Sequence, residues 1–158
     1  MRLTMLSLML FAFVSCQLAV TQMTDSQKAE LVDRVTLAVE AYWDTWSQLN
    51  VDSALTHFHG TPETGFAWEG QTALGLETLR EEWKRAFSGF ASQTVTIADR
   101  QVTVLAPDVV HVMESGTYSL TAASGTSTPE FRFSQTTVWV HRNKAWKILL
   151  GHVATATP

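Results

Sequence analysis

Between Thr24 and Leu49 the apolar residues Leu31, Val35, Ala38, Val39, Tyr42, Trp46 and Leu49 recur at steps of three and four. That spacing places them on one face and predicts an amphipathic helix of about seven turns. Thr24, with Gln27 three residues on, reads as its capping box. Glu30, Asp33, Arg34 and Glu40 fall off the stripe, on a face expected to meet solvent. The pattern breaks at Asn50–Asp52, where Asn50 or Asp52 is suited to cap a short second helix over Ser53–His59 that buries Ala54, Leu55 and Phe58. Gly60–Gly65 is a loop by composition, and Phe66–Glu69 a short strand ended by Gly70. A third helix is expected from Leu76 to Phe87. Leu76, Leu79, Trp83 and Phe87 lie on one side, and Glu81, Glu82, Lys84 and Arg85 on the other.

After Gly89 the period changes from helical to two. Thr94–Leu105 and Val109–Thr121 alternate as strands about a turn at Ala106-Pro107-Asp108, and Ala122–Pro129 is a small, polar hairpin tip. Phe131–His141 and Trp146–Ala154 complete the sheet, and Thr155–Pro158 is expected to fray. The stretch Thr136–Val153 is apolar on most of both faces, so this hairpin is expected at the centre of the sheet and covered on both sides. Within it, Trp146, Ile148, Leu150 and His152 alternate onto a single face. That face is read as the floor of a pocket with one imidazole placed in it.

Helices followed by a run of antiparallel strands define an α+β chain. Four long strands twist and curl. The expected architecture is a cone-shaped roll, with a curved antiparallel sheet wrapped around a long N-terminal helix and two shorter helices. Length fits one domain, over 24–155, large enough to bury a core. Six tryptophans and eight phenylalanines suit either a core around an apolar cavity or a plain filled core. The net charge of −4 and the lack of any Lys/Arg run argue against nucleic acid as a partner. At the N-terminus, Arg2 followed by the apolar Thr4–Val14 reads as an export signal within 1–19. Cys16 is the only cysteine, so no intrachain disulfide is available. It follows Phe13-Val14-Ser15, which resembles a bacterial lipoprotein cleavage box. Two outcomes stay open: lipidation at Cys16, or ordinary cleavage near Ser15–Ala19 releasing a soluble protein. The expected location is accordingly periplasmic, extracellular or lipid-anchored in the envelope, with the membrane reached only through such an anchor.

The order of elements, with Phe66-Ala-Trp-Glu-Gly70 and a Gly75-led helix, Glu114-Ser-Gly-Thr-Tyr118, and Val138-Trp139 with Trp146-Lys147-Ile148 and His152, resembles the nuclear-transport-factor-2-like superfamily and, within it, the SnoaL-like group. The resemblance covers roughly 24 to 154. It implies a curled sheet, a pocket between sheet and helices, and homodimers formed through the outer sheet face. For that face Val102, Val104, Val138 and Val140 are candidates. It names no single reaction, since the fold hosts isomerases, cyclases, dehydratases and binders. The ketosteroid-isomerase-like branch implies a helix tyrosine, an aspartate base and a second acid. Tyr42 matches the first. Only Glu69 lies near the second, and Thr137 stands at the third, so that mechanism has one clear part of three.

For chemistry, His152, Glu114 and Tyr42 are the catalytic candidates. Glu114 shares a strand face with Val110, Val112, Gly116, Tyr118 and Leu120; a carboxylate there demands a partner, with His152 or Tyr42 in view. A His–Glu pair in an apolar cup shifts both pKa values and can serve as acid and base. Trp46, Phe58, Trp68, Trp83, Phe87 and Trp139 are expected to line the pocket, with Tyr118, Gln135 and Thr137 adding polar or mixed contacts. His57 and His59, two apart, and His111 and His141 on strands do not assemble a metal-ligand spacing, so no metal is expected. Neither a nucleophile elbow nor a glycine-rich phosphate loop is present, and no cofactor is expected. The leading expectation is an exported domain that binds a small, largely apolar molecule. The alternatives are an acid–base enzyme using His152 and Glu114, and a non-catalytic envelope interaction protein.

Overall fold

The computed structural model describes residues 23–156; the export signal and Cys16 lie outside them. Helix α1 spans Asp25–Ser47, α2 Val51–Leu55 and α3 Leu76–Ala86. The strands are β1 Gly65–Trp68, β2 Gln71–Leu74, β3 Phe90–Ala106, β4 Val109–Ala122, β5 Phe131–Arg142 and β6 Ala145–Ala156. They form one sheet in the order β2-β1-β6-β5-β4-β3, antiparallel except where β1 meets β6. The three helices pack on its concave face, giving the expected α+β roll.

Helix α1 starts as its sequence dictates. The Thr24 hydroxyl accepts the Gln27 amide (3.2 Å), and the Gln27 side-chain oxygen accepts the Thr24 amide (2.9 Å). Leu31, Val35, Val39, Tyr42 and Trp46 are buried along one stripe. Asn50 caps α2 by accepting the Ser53 amide (3.0 Å). This helix ends earlier than the spacing predicts, because His57 and His59 are recruited by the sheet. The Ile148 amide donates to the His57 carbonyl, and the His59 amide donates to the Ile148 carbonyl, both at 2.8 Å.

Strand β2 was not expected from the sequence. Its residues Gln71-Thr72-Ala73-Leu74 bury only Ala73, too little apolar alternation to announce a strand. It exists because Glu69 and Gly70, both at positive φ (45° and 78°), fold a two-residue turn that returns the chain along β1. Strand β6 runs through Thr155 to Ala156, so the tail pairs with β5 where fraying was expected.

Bulges decide which residues face inward. On β3 an extra residue, Ala98, lies between the pairs Ile97–Gly116 and Asp99–Ser115. Val95 and Ile97 share the concave face with Arg100, Val102 and Val104 only because of it. Val102 and Val104 therefore pack against the core and are not on the outer face. On β6, Leu149 is the extra residue: Ile148 pairs with Trp139, whereas Leu150 pairs with Val138. From that point on, Gly151, Val153 and Thr155 face inward, and Leu150 and His152 face outward. Leu150 is 46% exposed. The hairpin is central in the sheet, as expected; on its outer face Val140 is 3% exposed, whereas Leu150 and His152 are exposed.

Candidate functional site

A cavity of about 320 Å³ opens between the concave sheet, α1 and α3. Its buried end is aromatic. Trp46 meets Trp83 edge-on (ring centroids 4.9 Å apart) and Phe87 (5.3 Å), and Phe66 meets Trp83 (5.5 Å). These contacts join α1, α3 and β1 into one wall, each edge-to-face pair adding about 1 kcal/mol beyond burial. Phe66 can lie flat over β6 because Gly151 has no side chain; a methyl there would overlap the Phe66 ring. On the other side Trp43 packs on Phe133 (5.6 Å), and Tyr118 stacks on Phe131 (5.5 Å). The mouth carries Trp68, Glu69, Gln93 and Thr155, with the Thr155 hydroxyl donating to Glu69 at 2.7 Å.

Gln135 lines this cavity on β5 and is only 4% exposed; its amide makes no hydrogen bond to another described residue and is open to the cavity. Tyr42 also lines it, at 2% exposure. Burial pushes the Tyr42 phenol well above its ordinary value, and the nearby Glu114 charge adds to the shift. The Trp46 indole N–H is buried with no hydrogen-bond partner among the described residues.

Glu114 is on the concave face, 2% exposed, but it does not line the cavity. Its partner is neither His152 nor Tyr42. Arg100 Nε, directly across the β3–β4 ladder, donates to Oε1 at 2.8 Å, and the Trp43 indole N–H reaches both carboxylate oxygens at 3.1 Å. Arg100 also lies 3.6 Å from Glu40 on α1. Trp43 thus has one edge on the ion pair and its ring in the cavity wall, separating the two.

His152 is exposed on the outer face, beside Thr136 and Ala67. The expected His152–Glu114 pair does not form, because the Leu149 bulge turns the end of β6 over by one residue. Of the expected wall, Trp46, Trp68, Trp83, Phe87, Tyr118 and Gln135 line the cavity. Phe58, Thr137 and Trp139 do not; they are filled core, with the Trp139 indole donating to the Thr137 hydroxyl at 2.8 Å. Sequence reasoning missed Trp43, Phe66, Glu69, Gln93, Phe133, Val153 and Thr155 as cavity residues. Arg100 was missed too: counting outward from the turn at 107–108 pairs Glu114 with Gln101, and the extra residue Leu105, between the pairs Val104–Val110 and Ala106–Val109, brings Arg100 opposite it instead. Among the described residues no group of three His, Cys, Asp or Glu is placed to hold a metal ion.

A curled sheet closed by helices over an inner cavity is the architecture of nuclear-transport-factor-2-like proteins, and comparison with solved structures agrees. The chain is similar to a nuclear-transport-factor-2-like superfamily protein from Salmonella enterica serovar Typhimurium (TM-score 0.71, 15% identity, covering 83% of this chain and 93% of that one). It is also similar to a ketosteroid isomerase-like protein from Erwinia carotovora atroseptica (TM-score 0.68, 16% identity, 82% and 98%). A third similar structure is a nuclear-transport-factor-2-like protein of unknown function from Shewanella oneidensis (TM-score 0.60, 12% identity, 78% and 98%). At such identities the likeness is one of fold. The family model for the SnoaL-like domain matches residues 35–158, and the chain belongs to that family. No curated protein sequence gives a significant match.

Proposed function

We propose that this SnoaL-like domain is an exported binder of a small, largely apolar molecule held in the aromatic cavity. The observation that carries this reading is Gln135. Its amide makes no hydrogen bond to another described residue and faces a space walled by tryptophan and phenylalanine, so its donors and acceptor are left for whatever fills the cavity. A guest that hydrogen-bonds Gln135 and lays an apolar body against Trp46, Trp83 and Phe66 matches both the amide and the aromatic wall. The acid–base reading on His152 and Glu114 has lost its geometry, since one is outside and the other is held by Arg100 and Trp43. Export rests on the N-terminal pattern of 1–19, with Cys16 as the candidate anchor; mass of the mature N-terminus distinguishes lipidation from simple cleavage. A homodimer through the outer face is supported by exposed Leu74, Leu150 and Met113 beside Val138, and a monomer by light scattering at high concentration removes it.

The test is native mass spectrometry of protein purified from its own host, followed by tryptophan-fluorescence titration with what co-purifies. A bound small molecule whose affinity drops about tenfold in Gln135→Leu supports the reading. Protein that neither carries nor binds any small apolar compound refutes it.

A further inference from the structure

The charges around the cavity are one-sided. Among the described residues no lysine, arginine or histidine lines it, and the single charged group that does is Glu69 at the mouth. Glu69 forms no ion pair among the described residues; its one hydrogen-bond partner there is the Thr155 hydroxyl. The carboxylate of this acid is therefore held in place but not neutralised. Its backbone is at φ 45° in a two-residue turn, where glycine, asparagine or aspartate is the unstrained choice. A glutamate has been placed there against local preference, and it points its acid to the rim of an aromatic box. Trp68 precedes it on β1, and Tyr118 stands across the mouth on β4. The field of Glu69 reaches that tyrosine: burial raises the Tyr118 phenol, and the Glu69 charge raises it further.

We propose that the guest is an organic cation, an apolar body carrying a quaternary or protonated amine that sits at the mouth between Glu69, Trp68 and Tyr118. This rests on the small-molecule reading above and specifies its chemistry. Aromatic faces attract a cation through their quadrupoles, most strongly for tryptophan, and the attraction grows as water is displaced. Glu69 adds a full opposite charge. An anionic guest meets that carboxylate with no cation to receive it. For a neutral guest Glu69 supplies only a hydrogen-bond acceptor, without the attraction between opposite charges.

The experiment compares two probes of one shape, phenyltrimethylammonium and tert-butylbenzene, by tryptophan fluorescence and calorimetry on the full folded chain. The expected result is at least tenfold tighter binding of the cation, weakening as salt is raised. Glu69→Gln is expected to remove most of that preference while leaving the neutral probe's affinity unchanged, and Glu69→Asp to retain part of it. Equal binding of the two probes by the wild type, or a preference that survives Glu69→Gln, overturns the cation assignment and leaves the small-molecule reading standing. Binding of neither probe overturns the cation assignment, and the small-molecule reading is then decided by the native mass spectrometry above. Glu69 is exposed in a turn, so both variants are expected to fold; far-ultraviolet circular dichroism and melting temperature verify it.

Discussion

Removing Arg100 is the most informative single perturbation of the buried end of this fold. Among the described residues its guanidinium is the only cation on Glu114, whose side chain is 1% exposed, and its own side chain is 19% exposed. Deleting one partner of a buried pair costs about 3–5 kcal/mol, because the remaining charge is left without compensation. Two features lower that figure here. Trp43 still donates to both carboxylate oxygens, and Arg100 already touches solvent. We expect Arg100→Leu to cost about 2–3 kcal/mol. For a domain of this size that is about 10 °C in melting temperature. The double variant Arg100→Leu/Glu114→Leu removes both charges and leaves only the Trp43 indole N–H unmatched, a loss of about 1 kcal/mol. The double variant should therefore be more stable than the single one. Urea unfolding of the wild type, both single variants and the double gives the coupling energy directly. An Arg100→Leu variant within about 0.5 kcal/mol of wild type, or a double variant no better than the single, would show that the pair does not bear on stability as argued.

Three further outcomes follow from particular contacts. Gly151→Ala should drive the Phe66 ring off β6 toward the cavity, destabilising the fold by about 1–3 kcal/mol and weakening any cavity ligand; a crystal structure of the variant with Phe66 unmoved refutes this. Thr24→Ala should lower the urea midpoint by about 1 kcal/mol in stability, with unchanged denaturant slope, through loss of the α1 cap. Burial, reinforced by the Lys147 ammonium, holds the His57 imidazole below its ordinary 6.5, against the edge of Tyr42 at 5.9 Å. The unfolded chain then takes up this proton first as pH falls. The stability tied to His57 is full above pH 6.5 and is lost on going down through its lowered folded value. A stability profile of His57→Gln should be flatter over that window, and an unaltered profile counts against the assignment.

How much of this was legible in the sequence differs by element. Helix α1 was readable almost to the residue, since its stripe, its capping box and its length are all local properties. The β3–β4 and β5–β6 hairpins were readable as strands for the same reason. The faces were not. Alternation tells which residues share a side, but an extra residue inverts the assignment beyond it, and nothing about Leu149 or Ala98 marks them as bulges. His152 was read on the face of Trp146 and Ile148 and lies on the opposite one. Leu150 went with it, while Val153 and Thr155 came into the cavity unannounced. Glu114 is the instructive middle case. Its need for a partner was correctly inferred from an apolar strand face, but counting across the turn at 107–108 gives Gln101, and only the extra residue Leu105 brings Arg100 opposite it. Trp43 is harder, because it lies at the edge of the α1 stripe, one position from Tyr42, and only the assembled sheet shows what its indole reaches.

The arrangement of polar groups separates stability from recognition. The costliest group to bury, the Glu114 carboxylate, is set against Arg100 and screened from the cavity by the ring of Trp43. The polar side chains that remain at the buried end, Gln135 and Tyr42, carry no charge, and burial keeps the Tyr42 phenol protonated well beyond its ordinary range. The inner half of the cavity therefore selects for shape and for neutral hydrogen-bonding groups, without a fixed charge of its own. Charge enters only at the mouth, on Glu69, which stands on a turn outside the packed core. A change at Glu69 can alter which guests are accepted without loosening the wall of Trp43, Trp46 and Trp83. A change at Arg100 or Glu114 loosens that wall without altering the charge a guest meets. Stability and affinity measured on the same two variants should consequently move independently, Arg100→Leu shifting the melting temperature and Glu69→Gln shifting the preference between charged and neutral guests.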